Sequence, residues 1–174
     1  MKVFLLQRKR LTALACALAA AAMFYVVNYP AAVSAYATDR QLPIYCVQRD
    51  QKMLSISFDA AWGNEDTQQL IDILGKYNVK ATFFVVGSWV DKYPESVKAL
   101  HDAGHEVMNH SNDHAHMSQL SKEEIIADVE ACNDKIEAVT GVRPTLIRPP
   151  YGEYDNNVIT AIRSIGMEPI QWDV

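Results

Sequence analysis

Five short runs of apolar, β-branched or aromatic residues punctuate the chain, with amphipathic segments between them. The runs are MLSISF (53–58), ATFFVV (81–86), HEVMN (105–109), TLI (145–147) and MEPIQW (167–172). MLSISF alternates as a half-buried strand does. ATFFVV is apolar throughout, as suits a strand covered on both faces. Between them, EDTQQLIDILGKY (65–77) sets Leu70, Ile71 and Leu74 on one helical face. PESVKALHDAG (94–104) has Pro in its first turn and Gly just past its end. SKEEIIADVEACNDKIEAVTG (121–141) opens with a capping box from Ser121 to Glu124 and carries Ile125, Val129, Cys132, Ile136 and Val139 in one stripe. DNNVITAIRSIG (155–166) predicts a further helix. Strands alternating with helices predict an α/β fold with a parallel sheet, because parallel neighbours need crossover helices. Periodicity leaves open whether such a sheet closes into a barrel.

The polar clusters fall where this pattern ends each strand. FDAAWGN follows the first run, NHSNDH the third, RPPYGEYD the fourth, and WD ends the fifth. In a parallel sheet those ends share one edge, where the active sites of α/β folds form. His110 and His114 are four apart. A helical turn after the third strand would put both rings on one side, a spacing that suits two imidazoles on one zinc-like cation; the alternative is a solvated polar loop. His116 is expected to be a supporting or surface residue, and His101 and His105 to be structural. Asp59 follows the apolar ISF as a metal ligand, a general base or a helix cap. Arg148, held before two prolines, is expected to grip a carboxylate, with Asp59 as its natural partner. Tyr151 and Gly152 predict a tight turn whose N–H groups can face a developing oxyanion.

Charge is distributed unevenly. Residues 1–37 carry Lys2, Arg8, Lys9 and Arg10 and no acid, whereas the rest of the chain holds 12 basic and 21 acidic residues. An acidic body without a basic stripe argues against nucleic acid as a partner. RKR (8–10) followed by the 17 uncharged residues LTALACALAAAAMFYVV (11–27) reads as a targeting segment. The small-residue sites VSA (33–35) and AYA (35–37) favour cleavage as a signal peptide; a retained membrane anchor is the alternative. Either way the body is expected outside the cytoplasm, secreted or held at the outer face of the membrane through residues 1–37 alone. Residues 38–50 read as a linker and 51–174 as the domain. An oxidising compartment permits a Cys46–Cys132 disulfide; Cys132 is also expected in the core.

SFDAAWG, HSNDH and RPPYG, in this order and roughly fifty and then forty residues apart, resemble the polysaccharide deacetylases, the NodB-homology or carbohydrate esterase 4 family. KATFFVVGSWV and GHEVMNHSNDH are similar to that family along their whole length, and the similarity covers about 53–174. The resemblance implies a distorted (β/α) barrel and metal-dependent removal of N-acetyl groups from a cell-wall glycan, peptidoglycan or a chitin-like N-acetylglucosamine polymer. It implies Asp59 as catalytic base, His110 and His114 as ligands of a divalent metal (zinc, with cobalt or manganese as alternatives), Arg148 as the residue orienting the base and Tyr151 as the oxyanion donor. FDAAWGNEDT further resembles a subgroup of spore-forming bacteria, implying a sporulation role.

Two departures qualify the resemblance. The family's second aspartate, a metal ligand, falls on Ala60, so Asn64, Glu65, Asp66, a water or Asp59 itself must fill that position. The family's later Asp-Trp and Leu-x-His motifs do not occur after Trp172. These residues are therefore expected to be an incomplete barrel with weak activity or none. A non-catalytic glycan-binding or wall-associated protein of the same fold is the competing expectation.

Overall fold

The structure is a computed structural model, and it describes residues 2–28 and 40–173. Two compact units emerge, residues 1–40 and 41–174. Among its described residues the first contains one helix, α1 (Lys2–Asn28). Its described side chains, including Leu11, Leu14, Leu18, Met23 and Phe24, are exposed. Among the described residues no helix is long and apolar enough to cross a membrane. The expected cleavage sites at 33–37 lie outside the described residues.

The second unit is α/β, with β1 (Ser57–Ala60), α2 (Thr67–Lys76), β2 (Thr82–Val85), α3 (Gly87–Lys92), α4 (Pro94–Asp102), β3 (Glu106–Asn109), α5 (Lys122–Thr140), β4 (Leu146–Ile147), α6 (Asn156–Ser164) and β5 (Glu168–Pro169). The five strands form one sheet in the order β1-β2-β3-β4-β5, every pair parallel. Strand order that follows chain order means each crossover steps the same way. With right-handed crossovers the helices then gather on one face, the winding of a (β/α) barrel rather than of a doubly wound sheet.

The pleat sorts the side chains. Phe83 and Val85 of β2 and Val107 of β3 pack with Leu74, Trp89, Val90, Val97, Leu100 and Ile136 on the helix side. Ile147 of β4 joins Ile125, Val129, Val158 and Ile162 in a second cluster under α5 and α6. Phe58 and Ala60 of β1 also face the helices. Asp59 between them points to the opposite face, because successive strand residues alternate. The capping box of α5 forms as expected: the Glu124 backbone N–H donates to Ser121 Oγ, and the Ser121 N–H donates to the Glu124 carboxylate.

Several expectations need correction. β1 begins four residues later than MLSISF suggested: Met53 and Leu54 are exposed, and pairing with β2 starts at Ser57. Residues 38–50 are not only a linker, because Ile44 forms a parallel bridge with Ile170, donating its N–H to Pro169 and accepting from Gln171, both at 2.8 Å. No Cys46–Cys132 disulfide exists. Cys46 is exposed, whereas Cys132 is fully buried and its thiol is pushed up to about 12 by burial. The short α3 was not legible as a helix.

His105 is structural, as expected. It is buried, its Nδ1 accepts the Ala81 N–H at 3.2 Å, and its ring meets the edge of Phe83. Burial, with Lys80 nearby, holds its pKa below the usual 6.5. In the window between that depressed value and about 6.5 the unfolded chain binds more protons than the folded one. The stabilisation is therefore complete above pH 6.5 and is lost as pH falls through the window. Melting temperature should drop between pH 7.5 and 5, and the drop should shrink in His105→Gln; an unchanged drop would refute the assignment.

Candidate active site

The site lies on the sheet face opposite the helices, at the strand C-terminal ends. Arg148, just past β4, crosses that face and is 4% exposed. Its Nη1 donates to Asp59 Oδ1 at 2.6 Å and its Nη2 to Ser57 Oγ at 2.7 Å. The guanidinium lies over the ring of buried Phe84 at 4.2 Å and 5.8 Å from Trp172. The pair anticipated between Asp59 and Arg148 is thus formed, and the carboxylate keeps Oδ2 for other work.

His110 follows β3 on the same face and is buried. Its Nδ1 sits 2.7 Å from the carbonyl oxygen of Arg148, which can only accept, so Nδ1 carries the proton and Nε2 the lone pair. That Nε2 is 3.9 Å from Asp59 Oδ2. The separation exceeds a hydrogen bond and leaves room for an atom bound to both. Burial is the main cause that lowers the His110 pKa, favouring the neutral ring that ligates cations.

His114 comes to His110 by a route other than the helical turn expected. Residues 110–116 form a loop in which Ser111 and His114 take positive φ of 70° and 54°. The two rings nevertheless stand 5.1 Å apart, edge to face. The loop is held by polar groups that the sequence reading did not single out. Buried Asn109 donates to Val129 O and Asn133 Oδ1 from α5, and accepts the Ser111 N–H at 2.7 Å. The His114 N–H donates to Ser111 Oγ, and the Asn112 N–H to Asp128 Oδ1. Gly87 and Ser88 at the start of α3 donate to the carbonyls of Ser111 and Asn112. A Cβ at Gly87 would come 2.4 Å from Asn112 Oδ1 and 3.1 Å from its Cα, so a larger residue would have to displace the Asn112 side chain and crowd the loop backbone.

Tyr151 also has positive φ, 61°. Its exposed ring packs edge-to-face on His114 at 4.6 Å and stacks with His116 at 4.2 Å. His116 in turn bonds Glu153 through Nδ1 at 3.0 Å, consistent with a supporting role at the surface. Asn64, considered as a third ligand, donates from its side-chain amide to Ser96 Oγ at 2.9 Å. The Glu65 carboxylate accepts the Asn64 N–H, and Asp66 caps the start of α2 by position only. Ala60 offers no donor. Among the described residues no group of three or more His, Cys, Asp or Glu side chains is arranged to hold a metal. The donor chemistry fits a divalent cation in one respect: Nε2 of His110, fixed as an acceptor, lies 3.9 Å from the free oxygen of Asp59, and the His114 ring stands 5.1 Å from the His110 ring.

With this geometry in view, comparisons with known proteins are specific. The profile described as Polysaccharide deacetylase matches residues 47–170. The peptidoglycan-N-acetylmuramic acid deacetylase PdaC of Bacillus subtilis is 38% identical over 128 residues, covering 74% of this chain and 27% of that protein. The peptidoglycan-N-acetylglucosamine deacetylase PgdA of Listeria monocytogenes is 36% identical, covering 72% and 26%. The structure of a CE4-family pseudoenzyme from Bacillus anthracis is 37% identical with a TM-score of 0.74, covering 76% of this chain and 47% of that one; a mutant of it, with restored enzymatic activity, matches with the same TM-score. The chain spans about a quarter of the length of the two curated relatives named. It belongs to the polysaccharide deacetylase family.

Proposed function

We propose that this protein hydrolyses the N-acetyl groups of a cell-wall glycan with the help of a divalent metal. The carrying observation is the shared arrangement of Asp59, Arg148 and His110: one carboxylate oxygen held by a guanidinium, the other facing an imidazole nitrogen kept free by its tautomer. His110 and His114 would hold the cation, zinc by the preference of imidazole, with Asn64 a weaker candidate for a further donor. Bound there, it would polarise the acetamide carbonyl and acidify a water. Asp59 takes the water proton at Oδ2 while Arg148 fixes the carboxylate, and the Tyr151 N–H serves the oxyanion. Water adds to the carbonyl, the proton taken up by Asp59 passes to the amide nitrogen, the C–N bond breaks, and acetate and an amine leave. Residues 1–37 are read as delivering the domain across the membrane, secreted or anchored at its outer face. The FDAAWGNEDT resemblance supports a place in sporulation.

A second reading, glycan binding without catalysis, is favoured by Ala60. Acetate release from an N-acetylglucosamine oligomer, with zinc and after chelation, separates the two. Slow release that chelator abolishes supports hydrolysis; oligomer binding with no acetate at saturating zinc supports the alternative.

A further inference from the structure

Resting on the metal-dependent deacetylase reading, we propose that Asp128 of α5 is a positioning residue for the metal ligands: with Lys135 it clamps the back of the 110–116 loop and so sets how tightly His110 and His114 hold a cation. The loop needs such a hold. Ser111 and His114 both take positive φ, 70° and 54°, a conformation that residues with a β-carbon keep only where their surroundings impose it. The need is functional as well as conformational. Two imidazoles share one ion only when both nitrogens reach it to within about 0.2 Å of the proper distance. His114 keeps its place beside His110 only while the peptides between them keep theirs.

Asp128 meets those peptides from the helix side. Its Oδ1 accepts the Asn112 N–H at 2.9 Å. Burial pushes the Asp128 carboxyl up, and the N–H groups of Asn112 and Asp113 pull it back, the mark of a carboxylate committed to the loop rather than to water. Further along α5, Lys135 donates from Nζ to Asn112 Oδ1 at 2.7 Å and pairs with Asp91 of α3 at 2.6 Å. Asn112 is therefore held at its backbone by a carboxylate and at its side chain by an ammonium, both from one helix. Bonds to charged groups are the stronger kind. α3 grips the loop as well: the N–H groups of Gly87 and Ser88 donate to the carbonyls of Ser111 and Asn112 at 2.9 and 3.0 Å. A half-exposed ion pair such as Lys135–Asp91 contributes little by itself. It matters here because the same ammonium ties α3 and α5 to the residue midway between His110 and His114.

The test is the zinc affinity of the full chain, read by chelator competition at a temperature where circular dichroism shows the variants folded. Asp128→Ala should weaken zinc roughly tenfold or more, the usual loss when a group that supports a metal ligand is removed. Asp128→Asn keeps an oxygen to accept the Asn112 N–H and should recover part of that loss. Lys135→Met keeps the stem, removes the ammonium and should weaken zinc about threefold, the size of one modest hydrogen bond. Arg143 is the control: it bonds Glu130, Asp134 and Glu137 of the same helix. Arg143→Gln should stay within about twofold of wild type. Unchanged affinity in Asp128→Ala, or an equal loss in Arg143→Gln, overturns the clamp while sparing the deacetylase reading. If Asp128→Ala does not fold, Asp128→Asn and Lys135→Met decide, and unchanged affinity in both overturns it. Wild type that binds no zinc overturns the clamp and the metal-dependent reading together.

Discussion

Asp59→Asn should slow acetate release by about 10²–10⁴-fold, the usual loss when a general base is removed. The amide is nearly the same shape as the carboxylate. Its oxygen can still accept from Arg148 Nη1, so the contact at 2.6 Å that orders the site survives in neutral form. What disappears is the ability of Oδ2 to take a proton. The neutral amide leaves the buried Arg148 guanidinium without its counter-charge, so a loss of stability should accompany the loss of rate, and the rates are compared at a temperature where both proteins are folded. Zinc affinity measured alongside the rate decides what Asp59 does. A large rate loss with zinc binding unchanged identifies a base. Equal loss of both makes Asp59 the ligand that replaces the donor missing at Ala60. A rate within threefold of wild type would show that the carboxylate takes no part and would end the mechanism proposed above.

The sequence was informative wherever a physical requirement was local. The α5 boundary was legible because Ser121 and Glu124 satisfy each other's backbone, and its stripe because Ile125, Val129, Cys132 and Ile136 must share one face. Asp59, His110 and Arg148 stood out because polar residues at strand ends share one edge of any parallel sheet. Non-local requirements were hidden. MLSISF alternates like a strand along its whole length, yet β2 offers partners only from Ser57 onward. The Ile44 bridge spans a single residue and has no period to read. GSWVDK is too short for helical periodicity to show, although it buries Trp89 and Val90. The His110–His114 spacing suggested a helical turn. The loop instead reaches the same juxtaposition through two left-handed residues, because Asn109, Ser111 and Asp128 supply its hydrogen bonds. Buried polar residues that hold a loop carry no pattern in one sequence; only their partners identify them.

Phe84→Ala should destabilise the domain by about 3–5 kcal/mol, the usual range for deleting a buried aromatic side chain. Phe84 is fully buried at the centre of β2, paired to Asp59 of β1 on one side and Met108 of β3 on the other. Its neighbours Phe83 and Val85 face the helix-side core, so Phe84 fills the opposite face of the sheet. There it supports the guanidinium of Arg148, whose Cζ lies 4.2 Å from its ring centroid. Truncation therefore removes buried surface and the platform on which Arg148 reaches Asp59 and Ser57. Phe84→Leu restores most of the volume but not the ring, and should recover most of the stability while leaving Arg148 less firmly placed. Urea denaturation reads the first effect; the rate of acetate release, compared at a temperature where both variants are folded, reads the second. A loss below about 1 kcal/mol in Phe84→Ala would mean that the face collapses around the gap, contrary to the packing seen. Full activity in Phe84→Leu would show that the ion pair alone, without the ring beneath it, is enough to hold Asp59 in position.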